Sequence, residues 1–137
     1  MSLCTTSQAA INTAVSLGAT VIVAAGNSSE NVSNSSPANC ANVVTVAAVG
    51  RTGGRASYSN FGSLIDIAAP GGDQLTGTTN GVLSTLNSGS DAPSNDTYAY
   101  YQGTSMATPH VAGAAALLYS LDPSITPSEV ESLLKST

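Results

Sequence analysis

Charge is scarce in this chain: Asp, Glu, Lys and Arg together make up 8% of its 137 residues. The three basic residues, Arg51, Arg55 and Lys135, form no cluster, and eight acids bring the net charge to -5. A surface without a basic patch cannot neutralise a run of phosphates, which speaks against nucleic acid as a partner. Tryptophan is absent and aromatics reach only 4%, so neutral polar groups must cover the surface. No apolar run approaches the ~20 residues of a membrane span, and the longest, 111–119, is broken by Gly113. No membrane partner is expected. The two cysteines, Cys4 and Cys40, have no second Cys or His nearby at metal-ligand spacing, so no metal or cofactor is identifiable. Met1-Ser2-Leu3 carries neither a basic nor a sustained apolar leader pattern. These three residues read as a leader foreign to the domain, with the native chain beginning much earlier.

The rest has room for one domain with a small core. Over residues 7–17, Ala10, Ile11, Ala14, Val15 and Leu17 recur near helical spacing and Gly18 follows as a C-terminal stop. Residues 21–25 form a continuous apolar run, the pattern of a strand buried on both faces of a parallel sheet, and it stops at Gly26-Asn27. Further strands are expected over 43–49, 64–69, 82–86 and 98–102, with 56–61 irregular. A helix over 105–121 is apolar on nearly every face, which places it inside the protein. Its small residues, Ala112, Gly113, Ala114, Ala115 and Ala116, would let neighbouring backbones approach closely. Thr126-Pro127-Ser128-Glu129 opens a final helix with the pattern of a capping box. Strands that alternate with helices and read as continuous apolar runs indicate an α/β fold with a mainly parallel sheet flanked by helices.

Chemistry concentrates in Gly103-Thr104-Ser105-Met106-Ala107-Thr108-Pro109-His110-Val111-Ala112-Gly113. A glycine turn delivers a serine to the first turn of a helix, where unpaired N–H groups and the helix dipole favour developing negative charge. Taken alone, Thr104 or Ser105 could equally be an N-cap. The whole string, however, resembles the nucleophile signature of the subtilase (subtilisin-like) serine proteases. Val21-Ile22-Val23-Ala24-Ala25-Gly26-Asn27, Ser36-Pro37-Ala38, Val43-Val44-Thr45-Val46-Ala47-Ala48, Ala56-Ser57-Tyr58-Ser59-Asn60-Phe61-Gly62 and Ile65-Asp66-Ile67-Ala68-Ala69-Pro70-Gly71 resemble the family's preceding blocks in the same order.

That resemblance implies a serine endopeptidase acting on protein or peptide substrates, with Ser105 as nucleophile and Asn27 as side-chain donor to the oxyanion. It also implies that Ala24, Ala25 and Gly26 line one wall of the primary specificity pocket and that Thr104 contributes to substrate binding. Cys4 and Cys40 could be two buried thiols, and the resemblance favours a disulfide between them and a secreted, extracellular parent. The Asp and His blocks that precede the serine in the family are missing. Asp66 falls in a non-catalytic block and is read as structural. His110 lies five residues beyond Ser105, about 500° of helical turn and ~7.5 Å of rise, so it is expected to face away and to serve as a core hydrogen-bonding residue. Residues 4–137 are therefore expected to be the C-terminal part of a subtilase peptidase domain. Alone, it should be inactive and prone to self-association, its partner being the missing N-terminal half. The resemblance allows calcium in the full-length parent. The alternative is a non-catalytic subtilase-like binding module or pseudoenzyme. A dinucleotide fingerprint is absent, and Ala107 stands where the α/β-hydrolase elbow needs glycine.

Overall fold

A computed structural model describes residues 4–136; the leader reading of Met1, Ser2 and Leu3 falls outside the described residues. The elements run α1 (Gln8–Ser16), β1 (Ile22–Ala24), β2 (Val44–Val49), β3 (Ile67–Pro70), β4 (Val82–Asn87), β5 (Asp96–Tyr101), α2 (Thr104–Leu121) and α3 (Pro127–Lys135), with short 3-10 turns at Val32–Asn34, Gln74–Thr76 and Thr78–Asn80. β1, β2 and β3 form a parallel sheet in that order, with Ile22 opposite Val44 and Val46 opposite Ile67. β4 and β5 make a separate antiparallel hairpin, Val82 opposite Tyr101. The fold is α/β.

The apolar runs become strands because the central one can bury both faces. β2 sits between two neighbours and is buried from Val44 to Ala48. On one side of the sheet Ala107, Val111 and Ala115 of α2, spaced one helical turn apart, pack with Val44, Val46, Ala48 and Ala69. Val130 and Leu134 of α3 complete that cluster. Ala25, Val32 and Ala38 form a smaller one. α3 begins with the expected capping box: Thr126 accepts from Glu129 N, and Glu129 Oε2 accepts from Thr126 N at 2.9 Å.

Asp66 is structural, as read from its block. Its Oδ2 accepts from Thr45 N at 2.8 Å and its Oδ1 pairs with Lys135 Nζ at 2.9 Å, which ties the start of β3 to β2 and to the end of α3.

Two expectations from the sequence are corrected. β1 is half-buried along its length, because among the described residues it has a neighbouring strand on one edge only. α2 is not enclosed: one stripe is buried, while Leu117 and Leu121 are 69% and 84% exposed. A Cβ at Gly113 would meet nothing within 4 Å, so the small residues on that side approach no described backbone. The apolar pattern of α2 is that of a helix covered on several sides, and the described residues cover one.

Cys4 and Cys40 form a disulfide across 36 residues, fastening the segment before α1 to the loop before β2. Loop-closure entropy predicts that the Cys4→Ala/Cys40→Ala double variant loses roughly 3–4 kcal/mol of unfolding free energy. A urea titration read by circular dichroism checks this, and an unchanged midpoint would refute it.

Candidate active site

Three chain segments meet where α2 begins. β1 ends in Ala25-Gly26-Asn27, β3 ends in Pro70-Gly71-Gly72, and β5 runs through Gln102 into Gly103. Gly103 N donates to Gly71 O at 3.0 Å, joining the last two. That approach requires a glycine at 71: a Cβ there would lie 2.5 Å from Ala48 Cβ and 2.7 Å from Gly103 O. Gly103 itself adopts φ +152°, where side chains are strained.

Thr104 joins α2 to the end of β1. Its N–H and its hydroxyl both donate to Asn27 Oδ1, at 2.9 and 2.8 Å, while its hydroxyl oxygen accepts from Gly26 N at 3.2 Å. The carbonyl end of the Asn27 amide is thereby occupied, which fixes the orientation of the amide and leaves Nδ2 as the outward donor. The space that a Gly103 Cβ would fill lies 3.5 Å from Asn27 Nδ2 and 3.6 Å from Ser105 N. Asn27 Nδ2 and Ser105 N thus lie near one point beside Gly103 at the helix N-terminus, with Met106 Sδ 3.6 Å from the same point.

Ser105 is exposed in the first turn of α2, and its hydroxyl makes no hydrogen bond among the described residues. It opens onto a cleft of roughly 350 Å³ whose walls include Val82, Leu83, Met106, Pro109 and His110. His110 thus shares the cleft with Ser105 instead of facing away from it. It is exposed and not a core residue, and its Nδ1 lies 2.8 Å from Met106 O one turn back in the helix. It makes no hydrogen bond to Ser105.

The predicted pocket residues separate. Ala25 is fully buried, whereas Ala24 and Gly26 are half-buried. Thr104, read from the sequence as a substrate contact, is 1% exposed with both polar groups turned to Gly26 and Asn27. It holds Asn27 in place. Among the described residues no group of three or more His, Cys, Asp or Glu side chains is placed to hold a metal ion, so no described side chain is assigned to calcium.

Residues 57–60, read from the sequence as irregular and as part of a block resembling the family's but given no role, support both sides of the site. Tyr58 Oη reaches Gly71 O at 2.9 Å and Gly72 O at 2.6 Å. Burial pushes the Tyr58 phenol up, so it stays a protonated donor. Asp73 accepts from Ser57 N at 2.6 Å, Ser57 Oγ at 3.1 Å and Leu75 N at 3.2 Å. The Ser57 N–H foremost holds its carboxyl below the usual carboxylate range. Asn60 is buried beside Gly26. No periodicity marks these residues, because their partners lie far away in sequence.

The parallel sheet, the glycine turn and the serine at the head of α2 define an α/β protein of subtilisin-like architecture. The family model described as "Subtilase family" matches residues 1–137, and the chain belongs to that family. An extracellular protease of Xanthomonas campestris pv. campestris is 58% identical over 134 residues, which are 97% of this chain and 22% of that protein. Subtilisin-like protease 2 of Pseudogymnoascus destructans is 44% identical over 140 residues, 99% of this chain and 32% of its own length. The solved structure of a protease from Pseudoalteromonas arctica superposes with a TM-score of 0.95 at 60% identity, covering 99% of this chain and 40% of that one. The chain thus spans less than half the length of each of these relatives.

Thr104→Val keeps the shape but removes the hydroxyl that serves Gly26 and Asn27, and a cost of about 1–3 kcal/mol is expected in urea unfolding. Because the folded Asp73 carboxyl titrates below its unfolded value of ~3.9, its contribution is present above that pH and is lost as pH falls through the lower folded value. The stability gap between the wild type and Asp73→Asn should therefore narrow below pH ~4. A gap that widened on acidification would contradict that assignment.

Proposed function

We propose that residues 4–137 are the C-terminal part of the peptidase domain of a secreted serine endopeptidase, with Ser105 as nucleophile and Asn27 as oxyanion donor. The observation that carries this reading is that Asn27 Nδ2 and Ser105 N lie 3.5 and 3.6 Å from one point beside Gly103, next to the exposed Ser105. In the reaction Ser105 Oγ attacks the peptide carbonyl, and the negative charge that forms on the carbonyl oxygen is met by those two N–H groups. They are fixed before substrate arrives, because Thr104 already engages the amide carbonyl.

The base that takes the serine proton and the acid that orients it come from the rest of the protein. This is supported by the short span of the chain against its relatives, by the absence of a hydrogen-bond partner for Ser105 Oγ among the described residues, and by the use of His110 Nδ1 within α2. The same missing portion is proposed to cover the open edge of β1 and the exposed face of α2. Secretion is supported by the disulfide and by relatives named as extracellular proteases. Ala24 and Gly26 are proposed to form part of the substrate pocket wall, with Thr104 as a positioning residue.

Purified alone, the chain should neither turn over a peptide substrate nor react with a fluorophosphonate; rapid stoichiometric labelling of Ser105 would overturn the assignment of the base to the missing portion. In the full-length enzyme, Asn27→Ala should lower kcat by ~10²–10³, the size carried by such donors. With Leu17, Leu117 and Leu121 exposed and β1 unpaired on one edge, the isolated chain should self-associate. Light scattering coupled to size exclusion reads this directly, and a monomer at high concentration would count against it.

A further inference from the structure

The backbone that carries Asn27 is held by one buried side chain on another loop. Asn60 is 1% exposed and lies 33 positions along the chain from Asn27. Its Nδ2 donates to Ala25 O and to Ser35 Oγ, both at 2.9 Å. Its Oδ1 accepts from Ser28 N at 3.0 Å and Glu30 N at 3.1 Å. Its own N–H donates to Gly26 O at 3.0 Å. The residues it grips are the two before Asn27 and two of the three after it, so the bend that presents the amide is bonded from both sides. Gly26, at φ +102°, makes the approach feasible, since a Cβ there would sit 2.5 Å from Asn60 Nδ2.

We propose that Asn60 is the positioning residue of the oxyanion donor: it fixes the main chain from which Asn27 projects, as Thr104 fixes the side chain. This rests on the reading of Asn27 given under the proposed function. The site demands two donors at one end of a short side chain and an acceptor at the other, which among residues of this size only asparagine provides. An aspartate would turn a carboxylate oxygen toward the Ala25 carbonyl and lose both donated bonds. A misplacement of about 1 Å at a preorganised group can cost ~10²-fold in rate, so the effect should fall on the transition state and leave substrate binding nearly unchanged.

The test uses the full-length enzyme, with kcat expressed per titrated active site so that misfolded protein does not enter the rate. Asn60→Asp and Ser35→Ala are each made alone and together with Asn27→Ala. Asn60→Asp should lower kcat by ~10–10²-fold with KM little changed, and Ser35→Ala, which removes one acceptor, should lower it less but in the same manner. In the Asn27→Ala background neither change should lower kcat further, because the donor they position is gone. If Asn60→Asp does not fold, the Ser35→Ala cycle decides alone. Equal losses with and without Asn27, or a loss confined to the number of active sites, would overturn the proposal. If Asn27→Ala by itself leaves kcat unchanged, the assignment of the oxyanion donor fails, and the role of Asn60 falls with it.

Discussion

The hydrogen bond from Gly103 N to Gly71 O, with the backbone approach it requires, sets where the head of α2 can be. Two main chains meet there with no room for a side chain on Gly71, and the Tyr58 hydroxyl donates to the same carbonyl. Once that seam is closed, Thr104 falls beside Asn27 and Ser105 stands at the first turn with its N–H unspent. Without it, the serine would be one more hydroxyl on an exposed helix. The sheet supplies the rigidity behind this arrangement, since β1 and β3 both lead into the site from register-locked pairings with β2.

Neutral hydrogen bonds do most of the positioning in a chain so poor in charge. Ser57, Tyr58, Ser59 and Asn60 act as one brace: Tyr58 on the glycines after β3, Ser59 Oγ on Ala48 N at 3.0 Å, and Asn60 on the bend after β1. Such bonds contribute little each when exchanged with water, yet leaving one unmade in the interior is costly. The brace therefore specifies geometry more than it adds stability. The ion pairs of Lys135 with Asp66 and Glu131, by contrast, lie at the surface, where they contribute little.

Much of the framework was legible in the amino-acid order. The runs at β1 and β2, the glycine stops after β1 and β3, the capping box of α3 and the serine at the head of α2 follow from local patterns, and the structure places them within a residue or two. β3 begins later than its apolar run suggests, because Ile65 and Asp66 serve the packing and the bond to Thr45 before the strand starts. The segment 57–60 resembled a family block, but its bracing role was illegible for a physical reason: its partners lie at Ala25, Ala48 and Gly71, and nothing local distinguishes a buried Asn from a turn Asn. The exposure of α2 and the half-burial of β1 were likewise unreadable, since an apolar pattern records what a segment is made to contact, and the described residues supply that contact on one side of α2 and one edge of β1.

The bond between Thr104 and Asn27 spans 77 positions, and that separation has an entropic consequence. Bringing two segments so far apart in sequence into register costs loop-closure entropy, which the surrounding tertiary structure has to offset. A partly folded chain would hold the serine and the asparagine without holding them in alignment. Under the proposed reading, the donor geometry is a property of the finished fold alone, and an emerging or collapsing chain is a poor catalyst by construction.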